Sequence, residues 1–172
     1  MRLNLTRFGW SWMAAVFLFT SLMAFSVLTV QAATVAATVT VTNVALTVAD
    51  ASIAYGTLGL STARSTSSGM WDTQSATNTG NVAEDFFIAG TDSANWTLGA
   101  TSSSETYRHA FCTSACESTP INYTALTTGN TALVSNVAAG AATSFDLALT
   151  TPTATTNYTQ QSVDVIVTAT EH

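Results

Sequence analysis

The sequence predicts an all-β protein, a sandwich of short antiparallel strands. Three observations lead there. Apolar residues alternate with Thr, Ser and Asp in short runs, as in residues 35–41, 145–149 and 163–167, and a period of two is the pattern of a half-buried strand. β-Branched residues dominate and no apolar stripe of helical period persists, which argues against helices. Gly, Asn, Asp and Ser punctuate the runs, as turns between strands require.

Composition narrows the function classes. The chain has 172 residues and no Lys; its basic side chains are Arg2, Arg7, Arg64 and Arg108, with His109 and His172. Arg2 and Arg7 precede an apolar run from Phe8 to Val30, and small residues follow around Ala32 and Ala33. A basic start, an apolar centre and a small-residue exit describe a secretory signal peptide, here residues 1–32. The competing reading is a retained transmembrane anchor, since the run approaches the ~20 residues that span a bilayer. Removing residues 1–32 leaves two Arg against ten acidic residues, a net charge of −8. Such a surface repels nucleic acid and anionic membranes, so neither is an expected partner. Charged residues make up 8% of the chain, against ~25% in typical soluble domains. Thr, Ser and Ala take their place, and enough Val, Leu, Ile and aromatic residues remain for a core.

Taken in order, residues 33–48 form the first strand. Val35, Ala37, Val39 and Val41 share one parity, and Thr34, Ala36, Thr38, Thr40 and Thr42 the other. After Asn43 the phase flips to Val44, Leu46 and Val48. One extra residue does this, so a bulge or a break is expected at residues 43–44. The body of the sandwich is then residues 49–172. Residues 52–60 are apolar but carry Gly56 and Gly59, and read as a short, kinked strand. Residues 61–69 read as a surface loop. Met70 and Trp71 begin a short strand or a buried turn, and Thr77-Asn78-Thr79-Gly80-Asn81 is a turn.

Residues 82–90 form a strand with Val82, Phe86 and Ile88 on one parity, interrupted by Glu84, and Phe87 on the other. Trp96 and Leu98 face inward from the next. Tyr107, His109 and Phe111 share a parity in a strand that ends at Cys112. Residues 121–126 and 132–137 supply two more. Phe145, Leu147 and Leu149 alternate with polar residues until Pro152, and Val163, Val165 and Val167 mark the last strand. No fixed-period repeat and no dividing linker stands out.

Little in this chain is reactive. Cys112 and Cys116 are its two cysteines, and in an exported protein a pair is expected to join. The closed loop is so short that the bridge is a local staple. A zinc site needs three or four protein ligands, and only His109 stands near the cysteines. His109 lies at a core-facing parity and reads as a hydrogen-bonded structural residue. His172 is terminal and expected to move. Glu84, Asp85, Asp72 and Asp92 read as solvated charge, since Ca²⁺ gathers six or more oxygens and adjacent strand residues face opposite ways. There is no His-Glu-x-x-His, no Gly-x-Ser-x-Gly and no phosphate-binding Gly-rich loop, and no lysine to act as an amine nucleophile. No enzymatic activity, cofactor or metal is therefore expected. Asn95, Asn122 and Asn157 each open an Asn-x-Thr triplet, the acceptor pattern for N-glycosylation.

Asn78-Thr79-Gly80-Asn81-Val82-Ala83-Glu84-Asp85-Phe86-Phe87-Ile88, followed by Asn95-Trp96-Thr97-Leu98, resembles exported prokaryotic β-sandwich proteins of the TasA/camelysin type, to which archaeal bundling pili are similar. The order of signal peptide, small-residue exit, Val/Thr strand and Ser/Thr-rich sandwich matches as well. So does Phe145-Asp146-Leu147 up to Pro152, then residues 163–168. The resemblance implies a jelly-roll or immunoglobulin-like sandwich and an extracellular fibre assembled by donor-strand exchange. No catalytic residue is carried over from it.

The physics of the first strand points the same way. A free strand with an apolar face can complete a neighbour's sheet, and such a head-to-tail contact does not close, so it grows a filament. The expected function is a secreted structural subunit of a filament, pilus or biofilm matrix, located outside the cell, with Val35, Ala37, Val39 and Val41 as the polymerising face and the chain itself as partner. The strand instead pairs within its own sheet in the simpler alternative. The alternative function is a monomeric adhesion or carbohydrate-binding module that takes cell-surface glycans on exposed aromatics such as Trp71, Tyr123 or Tyr158.

Overall fold

The computed structural model describes residues 33–117 and 122–172. The expected signal peptide and Ile121 lie outside the described residues. Among the described residues there is no helix, and ten strands follow one another: β1 (Leu46–Ala49), β2 (Ala63–Ser65), β3 (Gln74–Asn78), β4 (Glu84–Gly90), β5 (Thr97–Leu98), β6 (Thr106–Cys112), β7 (Thr124–Ala125), β8 (Thr131–Val137), β9 (Ala142–Thr150) and β10 (Val165–Glu171). The protein is all-β, as its alternation predicts.

The strands form two sheets of unequal width. One runs β1-β3-β9-β6-β5, with β2 also on β9 and β7 also on β6; the other is β10-β4-β8. β9 is the spine of the wide sheet. It pairs antiparallel with β3 through residues 142–145, with β2 through 148–150 and with β6 through 146–150. β4 is the centre of the narrow sheet, antiparallel to β10 along all seven residues and to β8 with register shifts around Phe86.

Inward residues of both sheets meet in one core. Ala76, Phe111, Phe145 and Leu147 of the wide sheet join Phe86, Ile88, Leu133 and Val137 of the narrow one, as sandwich packing requires. The alternations read from the sequence in β4, β6 and β9 are the ones buried here: Phe86 and Ile88, then Tyr107, His109 and Phe111, then Phe145, Leu147 and Leu149.

Several expectations need correction. Thr77 and Asn78 belong to β3 and not to a turn, and Trp71 starts neither a strand nor a buried turn, since it is exposed. Residues 61–69 are not all loop, because Ala63–Ser65 pairs with β9 and Thr66 is fully buried. Its hydroxyl donates to Asp146 Oδ1 at 3.0 Å and accepts the Leu147 N–H at 2.8 Å, so a polar residue is stitched into the wide sheet. Residues 52–60 carry no ladder. Glu84 is not a solvated charge but completely buried. His172 is tied down, its ring Nδ1 2.7 Å from Asp85 Oδ1 and its N–H bonded to Ala83 O at 3.0 Å.

Asn78 is the hub beside these elements. It is fully buried, and its amide donates to Val82 O and Val137 O, both at 2.8 Å, while its Oδ1 accepts the Gly80 N–H at 2.8 Å. One side chain thus fixes the turn into β4 and holds it against the end of β8. A buried amide with all three partners stabilises; the same amide with one missing would cost ~1–3 kcal/mol.

Candidate functional site

Residues 33–45, the greater part of the expected first strand, carry no ladder. The apolar parity stands in water: Val35 is 92% exposed, Val39 90% and Val41 78%, and Ala37 is exposed as well. Regular pairing starts at Leu46, where Leu46 and Val48 become half-buried. The phase flip at residues 43–44 therefore coincides with the place where the chain joins the sheet.

That junction is held firmly. Asn81 Oδ1 accepts the Asn43 N–H at 2.7 Å, and its amide donates to Val41 O at 2.8 Å. The Asn81 N–H donates to Asn43 O at 3.0 Å, and Ala45 O accepts from both Thr79 and Gly80. Glu84 Oε1 accepts the Ala45 N–H at 2.9 Å. Gly80 makes the approach possible: a Cβ there would stand 2.3 Å from both Asn43 O and Glu84 Oε1.

A second feature lies at the edge of the sandwich. Among the described residues β10 pairs only with β4, so its other edge is unpaired. Beside it runs a groove of about 960 Å³. Phe145, Leu147, Leu149, Tyr107 and His109 form its floor, and Val165 and Val167 line one side. Residues 51–60 line it as well. The cause is the mismatch in width: the inner face of β6 and β9 extends beyond what the three-stranded sheet can cover.

The aromatic residues here form a chain. Tyr55 and His109 meet edge-on at 5.7 Å, His109 and Tyr107 lie 6.4 Å apart, and Tyr107 and Trp96 6.5 Å apart. His109 Nε2 is 2.9 Å from the Tyr55 hydroxyl, and its Nδ1 has no partner among the described residues. Burial pushes the imidazole down to about 4, because a charged ring there would lose its water. Burial likewise raises the Tyr55 and Tyr107 phenols well above their ordinary range. His109 is thus a neutral, hydrogen-bonded residue of the groove floor.

The other candidate residues lie apart from one another. Cys112 and Cys116 are bridged, with Cα atoms 5.6 Å apart. Asn95 and Asn122 are exposed, and Asn157 is half-buried, its Oδ1 accepting both the N–H and the hydroxyl of Thr159. Trp71 is 84% exposed and adopts a φ of 55°, outside the groove lining. Tyr158 is 78% exposed and lines the groove. Tyr123 is half-buried, its hydroxyl 2.7 Å from Ser67 Oγ, so these three aromatics do not share one open face. Among the described residues no group of three or more His, Cys, Asp or Glu side chains converges as metal ligands would.

No protein-family model, curated protein or solved structure matches the chain. Function must come from its own geometry. The groove itself was not foreseen from the sequence. Its signal was there in Ile53 and Tyr55, which alternate like strand residues, while Gly56 and Gly59 weaken a regular ladder.

Proposed function

We infer that this protein is an exported structural subunit of an extracellular filament, pilus or matrix, polymerising head-to-tail by donor-strand complementation. The observation that carries the reading is an alternating strand without a ladder partner on the same chain as a groove beside an unpaired strand edge. Val35, Ala37, Val39 and Val41 of one copy enter the groove of the next, and their backbone pairs with β10.

The dimensions agree. Residues 35–41 and β10 are both seven residues long, about 23 Å at the rise of a strand. The apolar parity of the donor matches an apolar floor, and its Thr parity stays toward solvent. Burying a valine contributes ~1.5–3 kcal/mol, and the new ladder satisfies the edge of β10, which would otherwise invite irregular pairing. Donor and acceptor are different surfaces of one chain, so the contact propagates instead of closing. The tether at Asn81 and Glu84 fixes where the donor leaves its own body. The resemblance to TasA/camelysin-type proteins points the same way. An oxidising exterior suits the Cys112–Cys116 bridge, and glycans on Asn95, Asn122 or Asn157 would add solubility to a surface poor in charge.

A second reading, a monomeric carbohydrate-binding module, draws on Tyr158, whose exposed ring stands beside Gln160 and Gln161 at the groove. Negative-stain electron microscopy separates the two. Purified exported protein should form filaments, and protein lacking residues 33–43 should remain dispersed. Dispersed particles in both samples would refute the filament and favour the module.

A further inference from the structure

We propose that residues 52–60 are a resident cover for the groove, a strap that occupies the subunit's own acceptor site and is displaced when the donor strand of a second copy enters. The proposal rests on the filament reading and adds how its acceptor is regulated.

The floor of the groove is far drier than an empty site would be. Tyr107 is 0% exposed, His109 and Leu147 2% and Leu149 9%, although the narrow sheet ends at β10. Residues 52–60 lie along the groove next to these side chains. Ile53 packs on the core, and Tyr55 caps His109 through its hydroxyl and its ring edge. Two inward residues at alternate positions imitate the side chains that an inserted strand would supply.

The strap is nevertheless built to leave. Among the described residues, none of its N–H groups from Ser52 to Leu60 has a hydrogen-bond acceptor. Side-chain hydrogen bonds hold it instead: Tyr55 on His109, Arg64 Nη1 on Tyr55 O at 2.7 Å, Thr151 Oγ1 on Gly59 O at 2.6 Å and, at its end, Thr62 Oγ1 on Leu60 O at 3.1 Å. Its two ends are hinge-like, with Asp50, Ala51 and Ser61 at φ of 65°, 52° and 52°. L-residues adopt that region at a cost, and such strain gathers at segments that switch. A segment held by side chains and bounded by strained residues opens without breaking a ladder. A second copy's strand offers what the strap lacks, a continuous row of backbone bonds along β10. The strap thus keeps the floor dry before assembly and yields to a better ligand.

The test uses a synthetic peptide of residues 33–43 and purified, still monomeric exported protein. Tyr55→Phe removes the latch hydroxyl and keeps the ring, and Arg64→Met removes the second anchor. Each should bind the peptide about fivefold more tightly than the unaltered protein, the size expected for one net hydrogen bond. Binding should also shift the His109 ring nitrogens in the NMR spectrum of the unaltered protein, as the Tyr55 contact is lost. A merely structural role would lower the melting temperature and leave peptide affinity unchanged. Equal affinities with unmoved His109 signals, in a protein that does form filaments, would overturn the strap and leave the filament reading intact. A protein that neither forms filaments nor binds the peptide would overturn both.

Discussion

Gly80 is where a single atom matters most. Its missing Cβ lets Asn43 O and Glu84 Oε1 come together, and the tether of the first strand depends on that approach. Gly80→Ala should destabilise the protein by about 2 kcal/mol, as overpacking a tight site does. Urea unfolding measures it, and an unchanged midpoint would contradict the geometry. His109 makes the second prediction at this scale. Its folded value of about 4 lies below the ordinary 6.5, so the unfolded state binds the proton first as pH falls. Stability should be full above pH 6.5 and decline toward pH 4, by up to about 3 kcal/mol. Asp85 and Glu105 are held below the usual carboxylate range, Asp85 chiefly by the Asn136 N–H and Glu105 chiefly by the Thr155 hydroxyl. Their contributions are present above their ordinary values and begin to fade only near the acid end of the His109 window, being lost below it. Urea titrations at pH 7 and 4.5 should differ in the native protein and converge in His109→Gln; parallel curves would refute the assignment. The sequence showed His109 as a core-facing residue, since its parity with Tyr107 and Phe111 was plain. It did not show Tyr55 as the partner, because that contact spans 54 positions and depends on a segment with no regular structure.

Strands were legible wherever apolar alternation was strong, as in β4, β6, β8, β9 and β10. β3 was not, because Gln-Ser-Ala-Thr-Asn has a single apolar residue. Its inward side chains are Gln74, Ala76 and Asn78; Gln74 is satisfied locally by Asp72, while Asn78 also needs Val137 O, 59 residues away. Glu84 was misread for the same reason: its parity was correct, but its partner is a backbone N–H 39 residues away. The first strand reversed the problem. Its pattern is that of a half-buried strand, yet its valines stand in water. The proposed donor role resolves that conflict, since a second copy provides the missing face. Val39→Ala removes two buried carbons, worth about 1.5 kcal/mol, and should raise the monomer concentration in equilibrium with filaments roughly tenfold. Thr38→Ala, on the opposite parity, should leave it nearly unchanged. Sedimentation of assembled samples reads both, and equal values would remove the face specificity from the account.

At the scale of the whole molecule, the governing fact is the mismatch between a seven-stranded and a three-stranded sheet. The narrow sheet ends before it has covered the inner face of its partner. Residues 52–60 fill part of the deficit, and β10 keeps an unpaired edge. A sandwich class could be read from the alternation and turn signals, but this asymmetry could not, since it depends on which strands pair. With a net charge of −8 over residues 33–172, copies that assemble through the proposed strand contact repel at long range, so assembly should be faster at high salt. The most direct measurement is an electron cryo-microscopy reconstruction of the filaments. The expected result is that residues 35–41 of each subunit lie in the next subunit's groove, hydrogen-bonded to β10, with residues 52–60 moved aside. Filaments whose subunits meet through other faces, with β10 still unpaired, would contradict it.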